Sequence, residues 1–244
     1  MQKESKLIRG FTEDESLRIE DHLSKLIPHL TPERYVIVGG LAIRYHLQNA
    51  GIAYPQRPFN DLDIIAEDLS VIHSSISKDF MIYHFHQKDD FFYFSLADGK
   101  TRTKTDIFDY ENAPEETIMV PFGNQKIKIV SIEDQLAQTV YDIQRISQET
   151  RVDPKQFLDA NLLVQIANID KAQAQWKKRR KPEFPKSIEG AIERAESIRE
   201  THPEWIQKSP FRKPEPYKCD GCVLSHDFPL TPMDKIYKAL GYIE

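Results

Sequence analysis

The stretch that decides the fold begins with YVIVGG at residues 35–40 and continues with DLDII at residues 61–65. The first segment is a β-branched and aromatic run that stops at two glycines, the pattern of a buried strand followed by a turn. Residues 41–48 then carry a helical pattern. On a strand, residues two apart point to the same face, so Asp61 and Asp63 project together. These segments predict a strand, a helix and a second strand that bears paired carboxylates.

Patterns around these segments indicate a mixed α/β chain. Thr12 and Glu15 have the spacing of a capping box, and apolar residues recur at helical intervals up to about Leu30. Residues 68–77 are predicted to form a short helix. Further β-rich runs predict strands at residues 81–86, 91–96, 103–108 and 125–130.

After residue 130 the pattern becomes helical. Ser131 and Asp134 resemble a second capping box, and Asp153-Pro154 has the order of a helix cap and a first-turn proline. From residue 201 onward prolines are frequent and the periodicity fades. We therefore predict an α/β (α+β) fold in three parts: a small mixed-sheet core in residues 1–130, a helical domain in residues 131–200, and a proline-rich irregular arm in residues 201–244.

The composition is that of a globular protein without export or membrane signals. The 244 residues are 40% hydrophobic and 29% charged, and the net charge is -5, so any contact with nucleic acid must come from a local basic patch. There are only two cysteines, and the N-terminus lacks the apolar core of a signal peptide. We expect a cytoplasmic protein with no membrane partner.

A third acidic residue completes the candidate metal site. Asp106 alternates with Ile107 in a β-rich segment, so its side chain leaves the core face; Asp109, at the end of that segment, is the weaker alternative. Carboxylates that project together repel each other unless a cation lies between them, and Mg2+ prefers such hard oxygen ligands. An isolated Asp-x-Asp is more often a solvated strand end, so the hypothesis depends on the third acid. It predicts that Asp61, Asp63 and Asp106 bind two magnesium ions.

The glycine turn, the Asp-x-Asp strand and the later Asp together resemble the nucleotidyltransferase superfamily, whose fold is the minimal polymerase-beta-like one. The match in order and spacing runs from Tyr35 to Phe108. The chain is most similar to the AbiEii-like abortive-infection toxins, which carry an arginine before the acidic pair, here Arg57, and a helical C-terminal half. It departs from that branch at Phe59, where a small hydroxyl residue is usual, and at Gln138, where a lysine is usual.

The resemblance implies transfer of a nucleoside monophosphate from a nucleoside triphosphate to a hydroxyl group, with release of pyrophosphate. The acceptor would be an RNA end, a protein or a small molecule. Asp61 and Asp63 would bind both magnesium ions, and Asp106 the ion nearest the acceptor. The same branch implies a toxin that is paired with an antitoxin. The alternatives are a non-catalytic nucleotide- or RNA-binding protein on this fold, and an unrelated α/β protein with surface acids.

Two further features concern the triphosphate. Gly39 and Gly40 lack side chains, so the backbone can approach a ligand closely and the amides of the next helix can face a phosphate. A plain tight turn is the alternative. Arg57 would contact a phosphate or the acceptor, or else hold its loop through a salt bridge.

Two sequence clusters could bind other partners. Lys177–Lys181 is a dense basic run that could contact RNA phosphates, although a solvated helix end has the same pattern. Cys219 and Cys222 have zinc-knuckle spacing, and His226 follows. A structural zinc needs four ligands, so reduced surface cysteines are the preferred interpretation.

Overall fold

The computed structural model describes residues 11–55, 59, 61–88, 91–98, 100–101, 103–109, 113–122, 125–146 and 152–207. The helices in these ranges are Glu13–Leu26 (α1), Gly39–Asn49 (α2), Ile132–Gln144 (α3), Pro154–Val164 (α4), Ile169–Arg179 (α5) and Ile188–Thr201 (α6). The strands are Tyr35–Val38 (β1), Asp61–Ala66 (β2), Met81–Lys88 (β3), Phe91–Ala97 (β4), Lys104–Phe108 (β5), Thr117–Phe122 (β6) and Gln125–Val130 (β7). Arg57, Cys219, Cys222 and His226 lie outside the described residues.

The strands form one mixed sheet in the order β3-β4-β5-β2-β1-β7-β6. β2 runs parallel to β5 and β1 runs parallel to β7, whereas the other neighbours are antiparallel. The predicted α/β class is therefore confirmed. The central strands β5, β2 and β1 carry the third acid, the acidic pair and the glycine turn, so the segments with the candidate chemistry are also those in the middle of the sheet.

Helix α1 begins as the sequence predicts. The Glu15 amide donates to Thr12 Oγ1 at 3.2 Å, and the Thr12 amide donates to Glu15 Oε2 at 3.1 Å. The helix ends before a 3₁₀ turn that contains Pro28, which lacks an amide hydrogen for the helical pattern. Ile19 and Leu23 on its inner face are buried in the cluster that also contains the apolar sheet residues. Burial of each such side chain stabilises the fold by about 1.5–3 kcal/mol.

A second apolar cluster joins α2 to the helices that follow the sheet. Ile43 and Leu47 of α2 are buried with Val140 of α3 and Trp176 of α5. The start of α2, at Leu41, belongs instead to the sheet cluster. α2 therefore connects the two cores, and the division of the chain at residue 130 stays a prediction. Within the described ranges, no helix has both the length and the apolar character that crossing a membrane requires.

Three elements differ from the sequence predictions. Residues 68–77 form two 3₁₀ segments, Leu69–Val71 and Ser74–Lys78, instead of one helix. The first is set by Asp68, whose side chain accepts the Ser70 amide at 2.8 Å. The sequence pattern does not predict β6, because Pro121 lies within it; a proline is tolerated there since β6 is an edge strand. The start of helix α5, at an Asn168 cap, is not predicted either, whereas the basic residues in its last turn fit the helix end that the sequence offered for them.

Candidate functional site

The register of the central strands brings the three predicted acids together. Asp63 stands opposite Asp106 in the parallel pair β2–β5, and Asp61 stands opposite Lys104 in the same pair. Neighbouring strands lie about 4.8 Å apart, so Asp63 and Asp106 are adjacent across the sheet. Asp109 lies beyond the end of β5. The structure therefore places Asp106, and not Asp109, beside the acidic pair.

The glycine turn reaches the same place from the other side. Val38, the last residue of β1, stands opposite Asp63 in the antiparallel pair β1–β2. Gly39 follows with a φ of +65°, and a Cβ added there would collide with Asp63 Oδ2. Its amide donates to Gln135 Oε1 of α3 at 2.9 Å. The missing side chain at Gly39 thus makes room for the Asp63 carboxylate, whereas a Cβ at Gly40 would meet open space.

Asp63 has the perturbed electrostatics expected of a crowded acidic site. Burial, followed by the negative charges of Asp61 and Asp106, raises the pKa of Asp63 to about 7. The positive charges of Lys155 and Lys104 act in the opposite direction. A cation among the carboxylates would favour their charged forms.

Asp106 is buried, and its carboxylate contacts side chains of β4 and β5. Its Oδ1 accepts hydrogen bonds from the Tyr93 hydroxyl at 2.8 Å and from the Ser95 hydroxyl, both on β4. Its Oδ2 forms an ion pair with Lys104 Nζ. In these side-chain positions the described residues contain no group of three or more His, Cys, Asp or Glu that could hold a metal ion. The three acids are adjacent in the sheet, but the cation that pairs with the Asp106 carboxylate is the ammonium group of Lys104.

Sequence reasoning missed several of these neighbours. Lys104 could have been found, because it lies two residues before Asp106 on a strand and therefore shares its face. Gln135 and Lys155 give no such signal, since they come from helices far along the chain. Lys155 is exposed in the first turn of α4, where Asp153 caps the helix by accepting the Lys155 amide at 2.9 Å. That cap and the proline after it are as predicted.

Phe59, two residues before the acidic strand, is held in place by hydrogen bonds to α1. Phe59 is buried, its amide donates to Glu15 Oε1 at 2.9 Å, and its carbonyl accepts a hydrogen bond from Arg18. Its ring packs edge-on against Phe11 with centroids 5.7 Å apart, and the Arg44 guanidinium lies 5.7 Å from its centroid. These contacts fix the chain two residues before Asp61. They also give Phe59 a structural role at the position where the resembled branch has a small hydroxyl residue.

The helical half is tied to this region through a second polar contact. The Tyr54 hydroxyl donates to Asp159 Oδ1 of α4 at 2.7 Å. Tyr54 also lies under the Arg44 guanidinium, which is 5.2 Å from its ring centroid. α4, which carries Lys155, is therefore anchored to the loop that leads into the acidic strand.

The basic run is only partly available to a partner. Arg179 forms an ion pair with the buried carboxylate of Asp134, and Lys178 forms one with Glu115.

Asp134 does not complete the predicted capping box of α3. The Asp134 amide donates to Ser131 Oγ at 3.3 Å, as the prediction requires. The Asp134 carboxylate, however, accepts hydrogen bonds from the Glu115 amide at 2.7 Å and from Arg179. The Ser131 amide, which a capping box would pair with this carboxylate, donates instead to the Glu116 carbonyl at 2.8 Å.

Comparisons with solved structures find similarities at low sequence identity. An antigenic nucleotidyltransferase-like protein from Paracoccidioides brasiliensis is 17% identical over 79% of this chain and 90% of its own, with a TM-score of 0.42. JHP933 from Helicobacter pylori is 14% identical over 80% of this chain and 95% of its own, also with a TM-score of 0.42. No protein-family model and no curated protein sequence matches the chain. The closer likeness to the abortive-infection branch stays a prediction.

Proposed function

We propose that the protein is a magnesium-dependent nucleotidyltransferase, which transfers a nucleoside monophosphate from a nucleoside triphosphate to a hydroxyl group. The observation that carries this proposal is the strand register, which sets Asp106 opposite Asp63 beside the glycine turn. Three acids from two neighbouring strands are thereby collected at the point where β1 passes into α2.

The donor set fits magnesium. Its members are carboxylates, the hard oxygen ligands that Mg2+ shares with phosphates. Asp61 and Asp63 would hold both ions and Asp106 one of them. Burial and then the negative charges of Asp61 and Asp106 raise the pKa of Asp63, and a bound cation would offset both effects, which supports this assignment. Bound magnesium would lower the pKa of the acceptor hydroxyl and neutralise the charge of the triphosphate.

The chain itself would bind and orient the nucleotide. Lys155 is exposed, and its positive charge is near enough to Asp63 to lower the pKa of that carboxyl group. Its ammonium group is therefore suited to pair with the triphosphate. The missing side chain at Gly39 leaves room for the Asp63 carboxylate, and the open space beside Gly40 would admit the phosphates. Arg57 is retained as a further phosphate or acceptor contact from the sequence. In the reaction, the acceptor oxygen bonds to the α-phosphorus, the bond to the bridging oxygen breaks, and pyrophosphate and a proton leave.

A non-catalytic nucleotide- or RNA-binding protein is the second candidate. The ion pair between Lys104 and Asp106 favours it, because a permanent pair would leave only Asp61 and Asp63 for metal. On either account an RNA partner would use Lys177, Arg180 and Lys181 more than Lys178 and Arg179, which are engaged in ion pairs. Action in the cytoplasm as the toxin of an antitoxin-paired system remains a proposal that follows from the resemblance.

The test is incubation of the full chain with each α-labelled nucleoside triphosphate, Mg2+ and either total RNA or a protein extract. We expect label in one of the two fractions, and its loss in Asp63→Asn and Asp106→Asn. Asp170→Asn is the matched control, since Asp170 is an exposed acid of α5 and its replacement removes the same charge. Equal labelling by wild type and Asp63→Asn would refute the assignment, and nucleotide binding without labelling would favour the second candidate.

A further inference from the structure

A lysine lies among the acids of the proposed metal site. Lys104 is the first residue of β5, stands opposite Asp61, and shares a strand face with Asp106. Its Nζ forms the ion pair with Asp106 Oδ2, and its charge is also felt at Asp63. The ammonium is therefore in contact with one of the three acids and close to the other two.

The two oxygens of Asp106 have different partners. Oδ1 accepts the hydroxyls of Tyr93 and Ser95, which hold the carboxylate in a fixed orientation. Oδ2 is the oxygen whose partner is a cation, and that cation is Lys104. A divalent ion that bound Asp106 through Oδ2 would have to share that oxygen with an ammonium group, and two cations at one oxygen repel each other strongly.

We propose that Lys104 is the counter-cation of the metal-free site and competes with a divalent cation for Asp106. Metal binding requires that the lysine leave Oδ2, which its four-carbon side chain allows without movement of the strand. The ion pair keeps a buried carboxylate compensated while no metal is bound. The same ion pair lowers the affinity for the metal, because the metal must break the contact between the lysine and the carboxylate before it can bind. This inference rests on the proposed metal site.

The experiment is a titration of the full chain with Mn2+. Binding is measured by calorimetry and by the electron spin resonance signal of free Mn2+. Lys104→Met removes the charge while keeping much of the apolar stem, and Lys104→Arg keeps the charge. Lys100→Met is the matched control, because the Lys100 side chain is 80% exposed and its ammonium lies 3.9 Å from Asp21. Thermal unfolding of each variant verifies that it is folded. Asp63→Asn tests the metal site independently of Lys104.

We expect Lys104→Met to bind Mn2+ at least about tenfold more tightly than wild type, as removal of a competing charge predicts. Lys104→Arg and Lys100→Met should bind as wild type does. Unchanged or weaker binding by Lys104→Met overturns the inference, since the lysine would then be neutral or supportive for the metal. If Asp63→Asn still abolishes Mn2+ binding in that case, the metal site stands and only the role of Lys104 fails. If Asp63→Asn binds Mn2+ like wild type, or if no variant binds it, both proposals fail.

Discussion

Replacement of Gly39 by alanine should damage the acidic site more than it damages the fold. Gly39 has a φ of +65°, a conformation that costs an L-residue about 1–2 kcal/mol. The new Cβ would also collide with Asp63 Oδ2 and lie 3.3 Å from Asp63 Cγ. The carboxylate must therefore turn away, and an off-rotamer side chain costs roughly 0.5–1.5 kcal/mol more. We expect a total loss of about 1.5–3.5 kcal/mol in the free energy of unfolding.

Gly51 provides the matched control for this variant. Its φ is +73°, but a Cβ added there would meet nothing within 4 Å. Gly51→Ala should therefore lose only the conformational cost, about 1–2 kcal/mol, and should bind Mn2+ as wild type does. Gly40→Ala, on the next residue of α2 with open space around it, should retain the wild-type stability or gain slightly.

The assays are urea denaturation of the three alanine variants and Mn2+ titration of each. The expected pattern is that only Gly39→Ala loses Mn2+ affinity, because only there does the added carbon displace a proposed ligand. If Gly39→Ala and Gly51→Ala lose equal stability and both keep full Mn2+ affinity, then Gly39 does not shape the Asp63 carboxylate, and the close approach of turn and acid has no functional meaning.

Three further predictions concern the support of the site. Burial lowers the pKa of His22 from 6.5 to about 4, so between these pH values the unfolded chain binds a proton that the folded chain does not. About 3 kcal/mol of stability, present above pH 6.5, should therefore be lost as the pH falls toward 4. In His22→Gln the free energy of unfolding, measured by urea denaturation, should depend less on pH across this range. Arg179→Met leaves the buried Asp134 carboxylate without its cation and should cost about 3–5 kcal/mol in urea denaturation, whereas exposed Lys177→Met should cost under about 0.5. Phe59→Ala should cost about 3–5 kcal/mol by the same measurement and also weaken Mn2+ binding, because the clamp next to the acidic strand is lost; full Mn2+ affinity in this variant would contradict that positioning role.

Local rules were sufficient for much of the fold. The capping box of α1, the cap and proline of α4 and the strand ahead of Gly39 each depend on residues within a few positions of one another, and all are present in the structure. The failure at β6, in contrast, has a cause that is not local. β6 was not predicted because it contains a proline, which a strand tolerates only at the edge of a sheet. The residues of a strand do not reveal whether it lies at the edge or in the middle of the sheet.

The sequence by itself determined that Asp61 and Asp63 share a face and that a glycine turn precedes them, because both follow from the alternation of side chains along a strand and from backbone freedom at glycine. Only the tertiary structure decided that Asp106 stands opposite Asp63 and that Lys104 lies on its carboxylate. Strand order and register arise from hydrogen bonds between segments far apart in the chain, and the packing of both sheet faces selects among them. For that reason the three acids and the glycine turn could be named from the sequence, while their arrangement and their neighbours from distant helices could not.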